Sequence, residues 1–145
     1  MNNLPEIDRK ATRDAVEAVL ERYRMYSLQV SLDRLPSITA SYSLTPASSN
    51  LPSSSTERAA IANVEYEIKR EKFIDWIVFA VNQLSEIERS IVYMRYLQKN
   101  ELFDYQIYID LNMSERNYYR IKSRLLEKLA FVLKIEAYKE EVHSQ

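Results

Sequence analysis

The chain of 145 residues contains no glycine and no cysteine, and its single histidine is His143. An average protein of this length carries roughly ten glycines. Their absence excludes glycine-rich phosphate loops, dinucleotide fingerprints and nucleophile elbows. The absence of cysteine excludes disulfides, thiolate metal sites and cysteine nucleophiles, and one histidine argues against imidazole-based triads. We therefore expect a helical protein that is not an enzyme and that has no catalytic residues, cofactor or metal.

The chain also lacks long apolar runs and an excess of charge of one sign. Twenty basic and 21 acidic residues give a net charge of −1, so any nucleic-acid-binding surface must be local. No apolar run approaches the roughly 20 residues of a membrane span, and residues 1–6 do not resemble a signal peptide. We therefore expect a cytoplasmic protein without membrane or small-molecule partners.

Periodicity divides the chain into helical segments and one linker. Val16, Val19 and Tyr23 recur at three- and four-residue spacing, which predicts a helix over residues 6–30. Residues 31–56 are rich in serine and contain three prolines, which is typical of a linker. The predicted units are a helical segment 1–30, a Ser/Pro-rich linker 31–56, a long core helix 57–84, a C-terminal unit 85–137 and a tail 138–145.

Two capping boxes predict where the next helices start. Ser54 precedes a helix that runs to about Leu84, and Ser85 precedes a helix that runs to about Leu97. The first of these helices contains the apolar stretch 73–81 around Trp76, which we interpret as core, although a partner-binding stripe would have the same composition. Because no alternating strand pattern is present, the fold class is predicted to be all-α.

Residues 104–129 predict a short helix, a three-residue turn and a longer helix. Asp104 is predicted to cap the short helix, and Ser114 the longer one. Asn112 stands in the turn, where a left-handed backbone is needed and where Asn is the best substitute for glycine. The layout is that of a helix-turn-helix bundle, in which the second helix enters the DNA major groove.

The longer helix segregates apolar and cationic side chains on opposite faces. The apolar face is predicted to contain Tyr118, Ile121, Leu125, Leu129 and Val132, and the opposite face Arg116, Tyr119, Arg120, Ser123 and Arg124. Residues 114–128 carry five basic and two acidic side chains, whereas residues 102–113 carry two acidic ones. Arginine can read a guanine edge, while Tyr119 and Lys122 suit phosphates. An ordinary bundle helix with solvated charges is the alternative interpretation.

The region from residue 84 to 97 and from 104 to 129 resembles region 4 of bacterial sigma factors. It resembles more closely the ArpU-type phage transcriptional regulators, which activate late genes for packaging and lysis. The matching pieces are Ile107-Tyr108, 111–116, 118–122 and Leu129-Ala130. Tyr108 stands where most helix-turn-helix proteins have a small residue, which implies a wider helix crossing than the general pattern.

The resemblance implies which side chains would contact DNA. Glu115, Arg116 and Arg120 occupy base-reading positions. The positions of backbone contacts are Asn117, Tyr119, Lys122 and Arg124, and we group Ser114 with them. The implied function is sequence-specific DNA binding by a transcriptional regulator, an activator of phage late genes in the host cytoplasm, with recognition helix 115–133 in the major groove.

Two other functions are compatible with the same sequence features. One is a protein-interaction adaptor that contacts RNA polymerase through the sigma-like region. The other is a DNA-packaging component such as a small terminase subunit, which can also carry a helix-turn-helix. The expected partner is double-stranded DNA, and bacterial RNA polymerase and a second copy of the chain, forming a homodimer, are further candidates.

Overall fold

The computed structural model describes residues 5–30, 35–38 and 57–140 of the chain. These residues form five α-helices and one π-helical segment. In chain order they are α1 (Arg9–Ser27), α2 (Glu57–Asn82), α3 (Glu86–Val92), the π-helical segment (Tyr93–Leu97), α4 (Asp104–Asp110) and α5 (Glu115–Leu133). Apart from one isolated β-bridge between Ile7 and Tyr138, no β-structure occurs in the described ranges. The predicted all-α class is confirmed.

Side-chain caps set the starts of several helices. The Asp8 carboxylate accepts a hydrogen bond from the Ala11 amide (3.0 Å), so α1 begins at Arg9 rather than at residue 6. The predicted capping box at Ser85 is confirmed, because the Ser85 hydroxyl accepts from the Glu88 amide and Glu88 Oε1 accepts from the Ser85 amide. The predicted cap at Ser54 lies outside the described residues.

One hydrophobic core joins the N-terminal helix to the C-terminal helix. Val16 and Leu20 of α1 and Leu125 of α5 are fully buried in it. The second half of α2 contributes Ile77 and Val81, as its apolar sequence predicts. The predicted units 1–30 and 85–137 therefore share one core.

The apolar stretch of α2 is not buried on every side. Trp76 is half-buried against the core and packs edge-to-face on Phe73, with ring centroids 5.7 Å apart. Phe79, by contrast, is 61% exposed. Trp76 is therefore a core-flanking residue, while Phe79 faces solvent.

Hydrogen bonds join the start of the described chain to its end. The Thr12 hydroxyl donates to the Ala137 carbonyl (3.2 Å) and accepts from the Ala137 amide (3.0 Å). The Lys139 amide donates to the Glu6 carbonyl (2.7 Å). The start of the predicted tail 138–145 is thus anchored beside α1.

Across residues 5–30, 35–38 and 57–140, no helix has the length and apolarity that crossing a membrane requires. The same residues contain no group of three or more potential metal-ligating side chains.

Candidate nucleic-acid interface

The turn between α4 and α5 is made by Asn112 in a left-handed conformation, with φ 55°. The Asn112 amide donates to the Ile109 carbonyl (3.0 Å), and the Met113 amide donates to the Tyr108 carbonyl (2.8 Å). This pair of bonds is the Schellman motif, which usually relies on glycine. The prediction for Asn112 is confirmed, and α4 and α5 are separate helices rather than one continuous helix.

The prediction that Asp104 caps α4 is wrong. Phe103 is the flanking residue, and its amide donates to the side-chain oxygen of Gln106 (2.9 Å). Asp104 is the first residue of the helix. Its carboxylate is directed to α5 instead of to its own backbone, because partners there offer stronger, charge-assisted hydrogen bonds.

The Asp104 carboxylate connects α4 to α5 and to the π-helical segment. The Tyr118 hydroxyl donates to Asp104 Oδ1 (2.6 Å), and Lys122 Nζ donates to both carboxylate oxygens (3.0 and 3.1 Å). Arg95 Nε lies 3.3 Å from the same carboxylate. Burial acts to raise the pKa of Asp104, but the hydrogen bonds from Tyr118 and Lys122 outweigh it and hold the pKa below its ordinary value. This cluster fixes α5 relative to α4.

Aromatic packing supports the same junction. The Tyr108 and Tyr118 rings lie 5.7 Å apart with a tilt of 50°, and Tyr118 is fully buried. Tyr108, where the sequence departs from the general helix-turn-helix pattern, therefore has a structural role, because its ring packs on Tyr118 of α5. Desolvation and the Asp104 carboxylate both raise the pKa of Tyr118, so its hydroxyl stays a hydrogen-bond donor.

The solvent face of α5 presents the predicted arginines. Arg116, Arg120 and Arg124 are all exposed, and no described carboxylate lies within ion-pairing distance of them. Their four-residue spacing places them about 6 Å apart along one side of the helix. Arg120 Nη2 donates to the half-buried Asn117 side chain (2.7 Å), which orients the guanidinium. This face is a row of free cations.

The remaining predicted site residues divide into two groups. Glu115 and Tyr119 are exposed beside the arginine row, and Ser114 caps α5 by accepting from the Asn117 amide (3.2 Å). Lys122 is different, because its side chain is only 13% exposed and is engaged by Asp104. Lys122 was predicted to contact the DNA backbone, but the structure places it inside the α4–α5 junction.

The sequence contained a signal for the position of Lys122. It follows Tyr118 by four residues, so it lies beside the apolar face of the helix rather than opposite it. Its ammonium group also lies 5.7 Å from the Tyr96 ring centroid, a contact that only the fold brings together.

A second basic residue of α5, Lys128, is also paired with a carboxylate. Lys128 Nζ donates to Glu88 Oε2 of α3 (2.8 Å). Burial acts to raise the pKa of Glu88, but the bonds from Lys128 and Ser85 outweigh it and lower the pKa. The free positive charge of α5 is therefore confined to its three arginines.

These features define a small helical protein with one core. The short helix α4, the turn at Asn112 and the helix α5 with its cationic face are attached to that core. The chain is 30% identical over 138 residues to Protein Gp66 of Listeria phage A118, covering 92% of this chain and 94% of that protein. It is 29% identical over 133 residues to an uncharacterized phage-related protein, Lin1259/Lin1739, of Listeria innocua, covering 91% and 93%. The chain therefore belongs to the family of phage proteins that includes Gp66.

Two further comparisons found no relative. No family model matches the chain, and no solved structure matches it. The resemblance to ArpU-type regulators stays a prediction.

Proposed function

We propose that the chain is a sequence-specific DNA-binding regulator of phage genes, with α4 and α5 as a helix-turn-helix and α5 as its recognition helix. The observation that carries the proposal is the row formed by Arg116, Arg120 and Arg124, which is exposed and has no carboxylate partner among the residues described. Most of the other basic residues near α5 are neutralised internally. A protein with a net charge of −1 whose described residues include an unpaired cationic row on one helix is suited to local contact with a polyanion.

The junction between α4 and α5 supports docking of this row in a groove. The left-handed Asn112 ends α4 and redirects the chain, and the Asp104 cluster then fixes α5. A recognition helix must be held rigidly, because base contacts depend on geometry that tolerates little displacement. The Asn112 turn and the Asp104 cluster leave the N-terminal turns of α5 exposed. In helix-turn-helix proteins these turns contact base edges.

The exposed side chains of α5 fit distinct roles. Arg116 and Arg120 can form bidentate bonds to guanine, and Glu115 can accept from the cytosine amino group. Arg124 and Tyr119 lie where contacts to phosphates are favoured. The phage family and the resemblance to ArpU-type regulators support late genes for packaging and lysis as the targets, with the chain acting as an activator.

The proposal is tested by selecting bound duplexes from a random library with the full chain at moderate salt. An enriched site is expected, and Arg116→Ala and Arg120→Ala should each weaken binding to it by about 1–3 kcal/mol. Arg58→Ala, which removes an exposed arginine of α2, is the matched control and should leave affinity unchanged. No enriched sequence, or equal losses for Arg58→Ala and Arg120→Ala, would contradict base reading by α5.

A protein-interaction adaptor is the second candidate function, and one observation favours it. Phe103, Tyr105 and Ile109 are all exposed on α4 or beside it, and the first two rings stack 5.9 Å apart at 9°. Exposed apolar patches often mark protein-binding surfaces. If the chain works as an adaptor for RNA polymerase, Tyr105→Ala should abolish co-purification of polymerase, while Arg116→Ala together with Arg120→Ala should not.

A further inference from the structure

The N-terminal half of α2 carries apolar side chains that nothing in the described chain covers. Ile61, Val64 and Ile68 are 53%, 54% and 47% exposed. All residues from 57 to 69 are exposed except Ala60 and Glu67, which are half-buried. This half of the helix therefore extends beyond the core to which the second half belongs.

The three apolar residues lie on the side of α2 that faces away from α1. The side toward α1 is defined by Tyr66, whose ring lies 6.2 Å from that of Tyr26 in α1, and by the buried Arg70. Val64 and Ile68 each precede one of these residues by two positions, which is about 200° around a helix. Burial against α1 therefore cannot explain their apolar character.

Their spacing is that of a helix-pairing seam. Ile61, Val64 and Ile68 follow the three- and four-residue steps of the a and d positions of a heptad. In that heptad Glu67 is a g position and Lys72 is the e position five residues later. These are the positions that form salt bridges between parallel helices.

We propose that this stripe of α2 binds the same stripe of a second copy of the chain, in parallel and in register. Glu67 of each copy then lies opposite Lys72 of the other, which gives two symmetric ion pairs. An antiparallel pair that packs Val64 on Ile68 would instead match e with e, which places Arg58 near Lys72 of the second copy and Glu65 near Glu65. The charges on α2 therefore favour the parallel arrangement over this antiparallel one.

The dimer is small and concentration-dependent. The seam ends after Ile68, because the next d position is Glu71, which would face its own copy. Three apolar residues from each copy bury less than the roughly 1,200 Å² of a stable interface. We therefore expect a dissociation constant on the order of tens to hundreds of micromolar for the full chain without DNA.

Sedimentation equilibrium of the full chain up to about 1 mM tests this inference. A reversible monomer–dimer equilibrium is expected, and Val64→Glu should abolish it. Met25→Glu changes a side chain of α1 that is similarly exposed, at 57%, and should leave the equilibrium unchanged. A monomer at every concentration, or equal effects of the two variants, would overturn the proposal.

Charge reversal tests the orientation. Glu67→Lys and Lys72→Glu should each weaken the dimer, because each places like charges opposite one another. The double variant restores opposite charges and should recover the dimer. A double variant that dimerises as weakly as the single ones would overturn the parallel arrangement.

The absence of cysteine allows a second test of orientation by cross-linking. In a parallel pair in register, every seam residue faces its own copy, so Ile61→Cys and Ile68→Cys should both yield disulfide-linked dimers under mild oxidation. In an antiparallel pair, at most one of the two positions can face itself. Met25→Cys is the control and should stay monomeric. Because these measurements need no DNA, their failure would leave the proposed DNA binding standing, and the converse also holds.

Discussion

Two residues adopt a left-handed backbone in the described part of this glycine-free chain, and only one of them was predictable. Asn112 has a side chain that tolerates the conformation, so local sequence indicates it. Lys134, with φ 59°, has no such signal. Its conformation follows from the Schellman bond between the Ile135 amide and the Ala130 carbonyl (3.0 Å) and from the packing of Ile135 on the core.

Replacing Lys134 by glycine should therefore stabilise the protein. A left-handed lysine costs roughly 1–2 kcal/mol, of which the greater freedom of glycine in the unfolded chain offsets a part. We expect Lys134→Gly to raise the free energy of unfolding by about 0.5–1 kcal/mol in urea titrations. Ala62→Gly, within exposed α2, is the control and should lower it by about 1 kcal/mol. A loss of stability in Lys134→Gly would contradict the proposed strain.

Asp104 shows why contacts between residues far apart in the chain could not be predicted from the sequence. Its position before a helical pattern predicts a cap, which is a local role. Its actual partners Tyr118 and Lys122 lie 14 and 18 residues away, and Arg95 belongs to another element. Only the turn at Asn112, by folding α5 back, brings them within bonding distance.

The lowered pKa of Asp104 makes folding stability depend on pH. The unfolded carboxyl, with a pKa near its ordinary value of about 3.9, binds protons more readily than the folded one. Its contribution to stability is therefore present above about pH 4 and is lost as the pH falls through the lower, folded-state pKa. We expect Asp104→Asn to reduce the difference in unfolding free energy between pH 7 and pH 3. A pH dependence of Asp104→Asn equal to that of the unchanged protein would contradict this role of Asp104.

At the scale of elements, α5 carries one cation that holds the fold, Lys122, and three exposed arginines that are proposed to bind DNA. We expect Lys122→Ala to lower the free energy of unfolding by about 1–3 kcal/mol, since it leaves the Asp104 carboxylate with fewer partners. Arg120→Ala should change stability by less than about 0.5 kcal/mol. Urea titrations of both variants check this difference. Equal stability losses would contradict the assignment of Lys122 to the α4–α5 junction.

The elements themselves could be predicted to different degrees. Short-range patterns indicated two features correctly. The capping box at Ser85 indicated the start of α3, and the three- and four-residue periodicity of α5 indicated its two faces. The π-helical segment could not be predicted, because residues 93–97 continue the apolar spacing of α3. The widened turn, closed by the bond from the Gln98 amide to the Tyr93 carbonyl (3.0 Å), is visible only in the structure.

At the scale of the whole molecule, α1 completes the core on which α5 rests. Leu20 of α1 is fully buried in the core that also contains Leu125 of α5, and Arg13 lies 3.8 Å from Glu127. A helix over residues 6–30 was predicted, but its packing against a segment about a hundred residues later leaves no local signature. The DNA-binding face proposed for α5 thus depends on the opposite end of the chain.

Truncating a core residue of α1 should reveal this dependence. We expect Leu20→Ala to lower the free energy of unfolding by about 2–5 kcal/mol, with one cooperative transition for the whole chain. Met25→Ala removes an exposed side chain of the same helix and should cost less than about 0.5 kcal/mol. Two separate transitions, followed by circular dichroism and by Trp76 fluorescence, would contradict a shared core.

The hydrogen bonds that join Glu6 to Lys139 and Thr12 to Ala137 also indicate that the helices could be connected in a different order along the chain. Because residues 6 and 139 already lie side by side, a short peptide could connect the chain at these positions without disturbing any helix. New ends could then be opened in the segment between α1 and α2. In such a circular permutant α1 would follow α5 directly, and helices that are now most distant along the chain would become neighbours. Their packing would close a much shorter loop, so the permutant should fold faster while keeping the same core.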